Sequence, residues 1–148
     1  MGFADKLKKA LSAGLPNYQS ENTRELTTVL VAGQRVTSVA GVSHRQDVLK
    51  RLGVGNYEFA LIAEPSNEYD PKAVMVSVIA AGTTHHIGYL PAGQKTFILI
   101  HKLSLAMMNV GELLTVSGSI DPGDSFPFMA LVDVPGFDQV TELLKARN

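Results

Sequence analysis

The chain has no cysteine. Disulfides and thiolate-ligated metal sites are therefore excluded, which fits a reducing, intracellular (cytoplasmic) setting. It also carries almost no net charge, −1 at neutral pH. The whole-molecule field does not draw a polyanion, so any nucleic-acid binding has to come from a local groove and shape-specific contacts. Nowhere does an apolar run approach the roughly 20 residues that span a bilayer, and no membrane partner is expected. Lys6, Lys8 and Lys9 are interleaved with the apolar residues near the start, which argues against a secretory leader. Lys6 also stands where a myristoylation signal has serine or threonine. There is no internal repeat and no low-complexity segment.

Catalytic patterns are missing as well. No HExxH pair, GxSxG turn or phosphate-cradling glycine loop is present. Of the four histidines, His85 and His86 are neighbours on an expected strand and point to opposite faces, while His44 and His101 lie elsewhere. Glu64, Glu68 and Asp70 could in principle bind Mg²⁺ as a nuclease would, but three acids within one turn are more often solvated. The sequence therefore predicts no catalytic residue, no metal site and no cofactor.

What is present is an ordinary globular composition: 148 residues, 45% hydrophobic and 18% charged, enough for one domain with a real core. Residues 1–22 read as an N-terminal amphipathic helix, with Phe3, Leu7, Ala10 and Leu11 on one face, followed by a polar linker. Residues 23–148 read as the main domain. Strands are predicted over Glu25–Val31, Arg35–Val42, Tyr57–Ile62, Val74–Ile79, His85–Leu90, Leu113–Ile120 and Phe126–Val134. Gly41 marks a bend where a backbone approaches closely, and Asp121-Pro122-Gly123-Asp124 marks a turn. Helices are predicted over Gln46–Leu52, over Gln94–Leu103 with Phe97, Ile100 and Leu103 inward, and around Phe137, Val140 and Leu144. The fold class is mainly β: a small antiparallel barrel, OB- or SH3-like, with two or three short capping α-helices.

One stretch organises the rest. Ala63–Pro91 begins with a polar loop in which Pro65 and Pro71 hold their preceding residues extended, and Asn67 and Asp70 can shape a turn. A strand follows with Val74, Val76 and Val78 on one face and Met75, Ser77 and Ile79 on the other; Gly82 turns the chain back. By local chemistry Asp70 is most often a turn former and Tyr69 a half-buried anchor.

The run EPSNEYDPKAVMV followed by HIGYLP, with VAGVSHRQ upstream, resembles the signature of the HIRAN domain over roughly Thr23–Val134. That small β-barrel is known from helicase-like fork-remodelling ATPases and also occurs alone. The resemblance implies a single-stranded DNA-binding module that captures a free 3′ end, in DNA repair or replication, without catalysis. By position, Asn67 and Asp70 would bond the terminal sugar, while Tyr69, Phe126 and His44 would stack on bases. Gly88 and Tyr89 would lie along the groove, and Arg45 and Lys95 would meet phosphate. Two departures thin the charge of such a site: Ser43 and His44 replace a basic-aromatic pair, and Pro91-Ala92-Gly93 replaces a basic residue. The rival expectation is a protein-interaction module of the same fold, docking a partner through a barrel edge or the N-terminal helix.

Overall fold

The structure, a computed structural model, describes residues 26–147. The predicted N-terminal helix and linker lie outside the described residues. In chain order the elements are β1 (Thr27–Leu30), β2 (Arg35–Ser38), a 3-10 turn (Val42–His44), α1 (Gln46–Leu52), β3 (Gly55–Glu64) and β4 (Ala73–Ala80). They continue as β5 (Thr83–Tyr89), α2 (Lys95–Met108), β6 (Glu112–Pro122), β7 (Phe128–Val134) and α3 (Phe137–Lys145). Among the described residues no helix is long and apolar enough to cross a membrane.

Seven strands form one sheet in the order β2-β7-β6-β3-β4-β5, with β1 added beside β6. Every pairing is antiparallel except β1 with β6, where Thr27–Leu30 runs parallel to Glu112–Thr115. The length of β6 makes this possible: its first residues pair with β1, and Gly118–Pro122 pair with β7. The two ends of the path, β2 and β5, are joined only through the bridge between Ala40 and Tyr89. The Ala40 N–H donates to the Tyr89 carbonyl at 2.8 Å, and the Tyr89 N–H donates back at 3.0 Å. The sheet thus has the form of a small barrel without a continuous closing ladder.

The alternation read from the sequence sets the core. Val74, Val76 and Val78 of β4 and Leu114, Val116 and Ile120 of β6 join Phe59 and Leu61 of β3 in one buried cluster. Each such side chain contributes about 1.5–3 kcal/mol by leaving water. Helix α2 covers this cluster with Phe97, Ile100, Leu103 and Met107. Ala60 and Ile62, on the opposite face, pack with Leu113 and Met108 in a second cluster that also takes in Ala63, so β3 is apolar on both sides. Beyond Ala60, β3 has no β6 partner, and α2 takes over that edge. Ser104 Oγ accepts the Ala63 N–H at 2.9 Å and donates to the Leu61 carbonyl at 3.0 Å. A side chain there does the work of a missing strand.

Several predicted boundaries are corrected. The second strand stops at Ser38, because Gly41 adopts φ +82 and the chain then winds into the 3-10 turn. There is open space around Gly41, so its conformation and not a close approach calls for glycine. Helix α2 runs five residues past Leu103, since Met107 and Met108 still face apolar partners. Strand β6 continues through Pro122, which pairs with Phe128, so the reversal lies in residues 123–127. Phe126 consequently sits in that turn and not on a strand. At α3, Val140 is buried, whereas Phe137 is 47% exposed.

Candidate functional site

The β3–β4 loop is built by its own side chains. Asn67 Oδ1 accepts the N–H groups of both Tyr69 and Asp70, at 2.9 and 3.0 Å. Asp70 Oδ1 accepts the Lys72 N–H at 2.9 Å, and the Asp70 carbonyl accepts that of Ala73 at 3.0 Å. These are the local bonds that Asn and Asp favour in turns. The loop holds Tyr69 almost wholly in solvent, 95% exposed.

Glu64, the last residue of β3, ties this loop to the barrel. Its Oε1 accepts a bond from Asn67 Nδ2 at 3.1 Å and another from the Tyr89 hydroxyl at 2.9 Å. Tyr89 reaches it because a bulge opposite Val76 and Ser77 interrupts the regular alternation of β5. Tyr89 then meets the His86 ring edge-on, with centroids 5.2 Å apart and planes at 70°. Burial, the Glu64 hydrogen bond and the Glu64 charge together push the Tyr89 hydroxyl up to about 12, against the Arg45 charge and a hydrogen bond from Asn67. His86 is lowered below its ordinary value by burial and then by Arg45, with Glu64 opposing.

Between loop and barrel lies a cavity of about 470 Å³. Asn67, Tyr69, Asp70 and Tyr89 line it, with Glu68 and the apolar surface of Ala40, Ala73, Leu90 and Ala92. A smaller depression of about 90 Å³ adjoins it past Asp70, lined by Lys72, Pro91, Gly93 and Phe97 among others. No family model, curated protein or solved structure matches this chain.

Four of the predicted site residues are thus brought together. The others are placed differently. Gly88 is buried, and a Cβ there would lie 2.1 Å from the Ala40 carbonyl oxygen. The backbone that approaches it is the chain's own, where the bridge to Tyr89 forms. His44 and Arg45 are exposed beyond the cavity lining, although the Arg45 charge is felt at both His86 and Tyr89. Lys95 begins α2, exposed and also outside the lining. Phe126, 47% exposed in the β6–β7 turn, does not line the cavity either.

The amide of Asn67 is engaged within the loop, so its role in this geometry is to shape the loop rather than to meet a sugar. In the sequence Glu64 stands out only as one acid among three; its place at the end of an apolar strand, before Pro65, is the available signal. Among the described residues no group of three His, Asp or Glu is arranged to hold a metal ion.

Proposed function

We propose that the chain is a HIRAN-type barrel that binds single-stranded DNA at a free 3′ end without catalysing a reaction. The observation that supports it best is the cavity of about 470 Å³ beside a tyrosine that is 95% exposed. A large aromatic ring left in water by a hydrogen-bonded loop is a stacking surface, and any base offers a face to it. Tyr69 would stack on the terminal base while Asp70 accepts a hydrogen bond from the terminal sugar hydroxyl. Arg45, Lys72 and Lys95, all exposed outside the large cavity, are the cations available to the phosphates. With two or three such contacts the affinity would fall only gently with salt, at a log–log slope of roughly −1.4 to −2.1.

A protein-interaction role is the second reading. It is favoured by one observation: the cavity lining carries Glu68 and Asp70 but neither lysine nor arginine. The two readings part in a titration of labelled single strands of one sequence, linear and circularised. An end-binding module binds the linear strand and ignores the circle. Equal binding of both removes end recognition, and binding of neither favours the protein partner.

A further inference from the structure

The hydrogen-bonding character of the cavity wall is one-sided. Tyr89 has a single hydroxyl proton, and it goes to Glu64. Asn67 donates to Glu64 and also hydrogen-bonds the Tyr89 oxygen, while its own oxygen is filled by two N–H groups. Of the main-chain amides in the lining, those of Glu68 and Ala92 have no acceptor among the described residues, and the rest are used. The amides of Ala40 and Tyr89 bond each other's carbonyls, and those of Ala73 and Leu90 bond the carbonyls of Asp70 and Val74. The amide of Asn67 bonds the Glu64 carbonyl, and those of Tyr69 and Asp70 are held by Asn67. What is left is mostly acceptors: the second carboxylate oxygen of Asp70, which has no partner among the described residues, and the exposed Glu68 carboxylate. The only side-chain donor left in the lining is the Tyr69 hydroxyl, on a ring that is 95% exposed.

A wall of acceptors that includes two carboxylates repels a phosphate and welcomes a neutral group rich in O–H donors. Resting on the nucleic-acid reading above, we infer that this cavity selects a terminal sugar with two free hydroxyls, a ribonucleotide 3′ end, over a deoxyribonucleotide end. The 2′- and 3′-hydroxyls of such a sugar are adjacent donors, for which the lining offers two carboxylates, Asp70 and Glu68, whereas a deoxyribose presents one. Glu64 is the residue that makes the wall one-sided, by taking up the protons of Tyr89 and Asn67.

The test uses one 5′-labelled strand with three terminal residues: ribonucleotide with free 2′- and 3′-hydroxyls, deoxyribonucleotide with 3′-hydroxyl, and deoxyribonucleotide with 3′-phosphate. One additional bond to a charged acceptor predicts binding of the ribonucleotide end about 10- to 150-fold tighter than the deoxy end, with the phosphate weakest. Asp70→Asn keeps an acceptor for the Lys72 N–H but brings a donor into the wall, so the three ligands should converge. Glu64→Ala should ease the phosphate penalty and lower the Tyr89 titration midpoint from about 12. Equal binding of the ribo and deoxy ends, with the phosphate still weaker, overturns the inference and leaves end recognition standing. If none of the three binds, the nucleic-acid reading fails and this inference with it.

Discussion

Ser104→Ala tests how the site is attached to the barrel. Ser104 Oγ satisfies two main-chain groups, the Ala63 N–H and the Leu61 carbonyl, at 2.9 and 3.0 Å. Both lie on the segment that ends in Glu64, and Ser104 itself is fully buried. Alanine removes one oxygen and leaves a donor and an acceptor without partners. Each unsatisfied buried group costs about 1–3 kcal/mol, so the loss for the two should be about 2–6 kcal/mol. Against a typical total of about 5–15 kcal/mol this is a severe change for one atom. With a urea slope near 2 kcal/mol per molar, the unfolding midpoint should fall by roughly 1–3 M. Thr141→Ala is the control, because its hydroxyl bonds the Phe137 carbonyl on an exposed helix face and should matter by less than about 0.5 kcal/mol. If Ser104→Ala behaves like Thr141→Ala, α2 does not complete the edge of β3, and the support for Glu64 has been misassigned.

Other outcomes follow from the same geometry. Gly88→Ala places a methyl 2.1 Å from the Ala40 carbonyl oxygen, so it should cost about 1–3 kcal/mol or more and open the Ala40–Tyr89 side of the cavity; an unchanged melting curve would contradict the bridge. Arg45→Ala removes a positive charge that disfavours protonation of His86, so the His86 midpoint, followed by NMR, should rise toward 6.5 without reaching it, because burial is the larger cause. The lowered folded-state pKa of His86 contributes stability present above 6.5 and lost as pH falls through the folded value, and Arg45→Ala should narrow that window. An unmoved midpoint would place Arg45 away from the site.

The strands were legible because Val74, Val76 and Val78 recur at every second position and need no partner to be recognised as one face, although Ser77 between them and Leu113 and Thr115 on β6 are buried as well. Helix α1 was equally clear, with Gly53 stopping it where expected. What local pattern does not carry is which distant groups meet. Nothing near Ser104 in the sequence marks it as the partner of Leu61 and Ala63, more than forty positions away. Gly88 is expected from the resemblance to lie along the groove, and what its missing side chain makes room for in the fold is the Ala40 carbonyl. Phe126 was assigned to a strand because Asp121-Pro122-Gly123-Asp124 looks like a turn, whereas Pro122 still fits the end of β6 by pairing with Phe128. In the loop, Asn67, Tyr69 and Asp70 were visible as a group, since Asn and Asp carry turn chemistry. The Glu64–Tyr89 bond that holds the group in place spans two strands and a bulge, and required the fold.

Tyr69→Ala asks whether the cavity beside Tyr69 holds the end of a single strand, as proposed above. At 95% exposure the ring contributes almost nothing to folding, so the variant should melt with the wild type and any change in binding belongs to the ligand. Fluorescence anisotropy with a short 5′-labelled strand bearing a free 3′-hydroxyl should show affinity falling about 5- to 150-fold, as expected for one lost base–aromatic stack worth about 1–3 kcal/mol. A wild type that does not bind the strand, or a Tyr69→Ala variant that binds it equally well, would contradict the account.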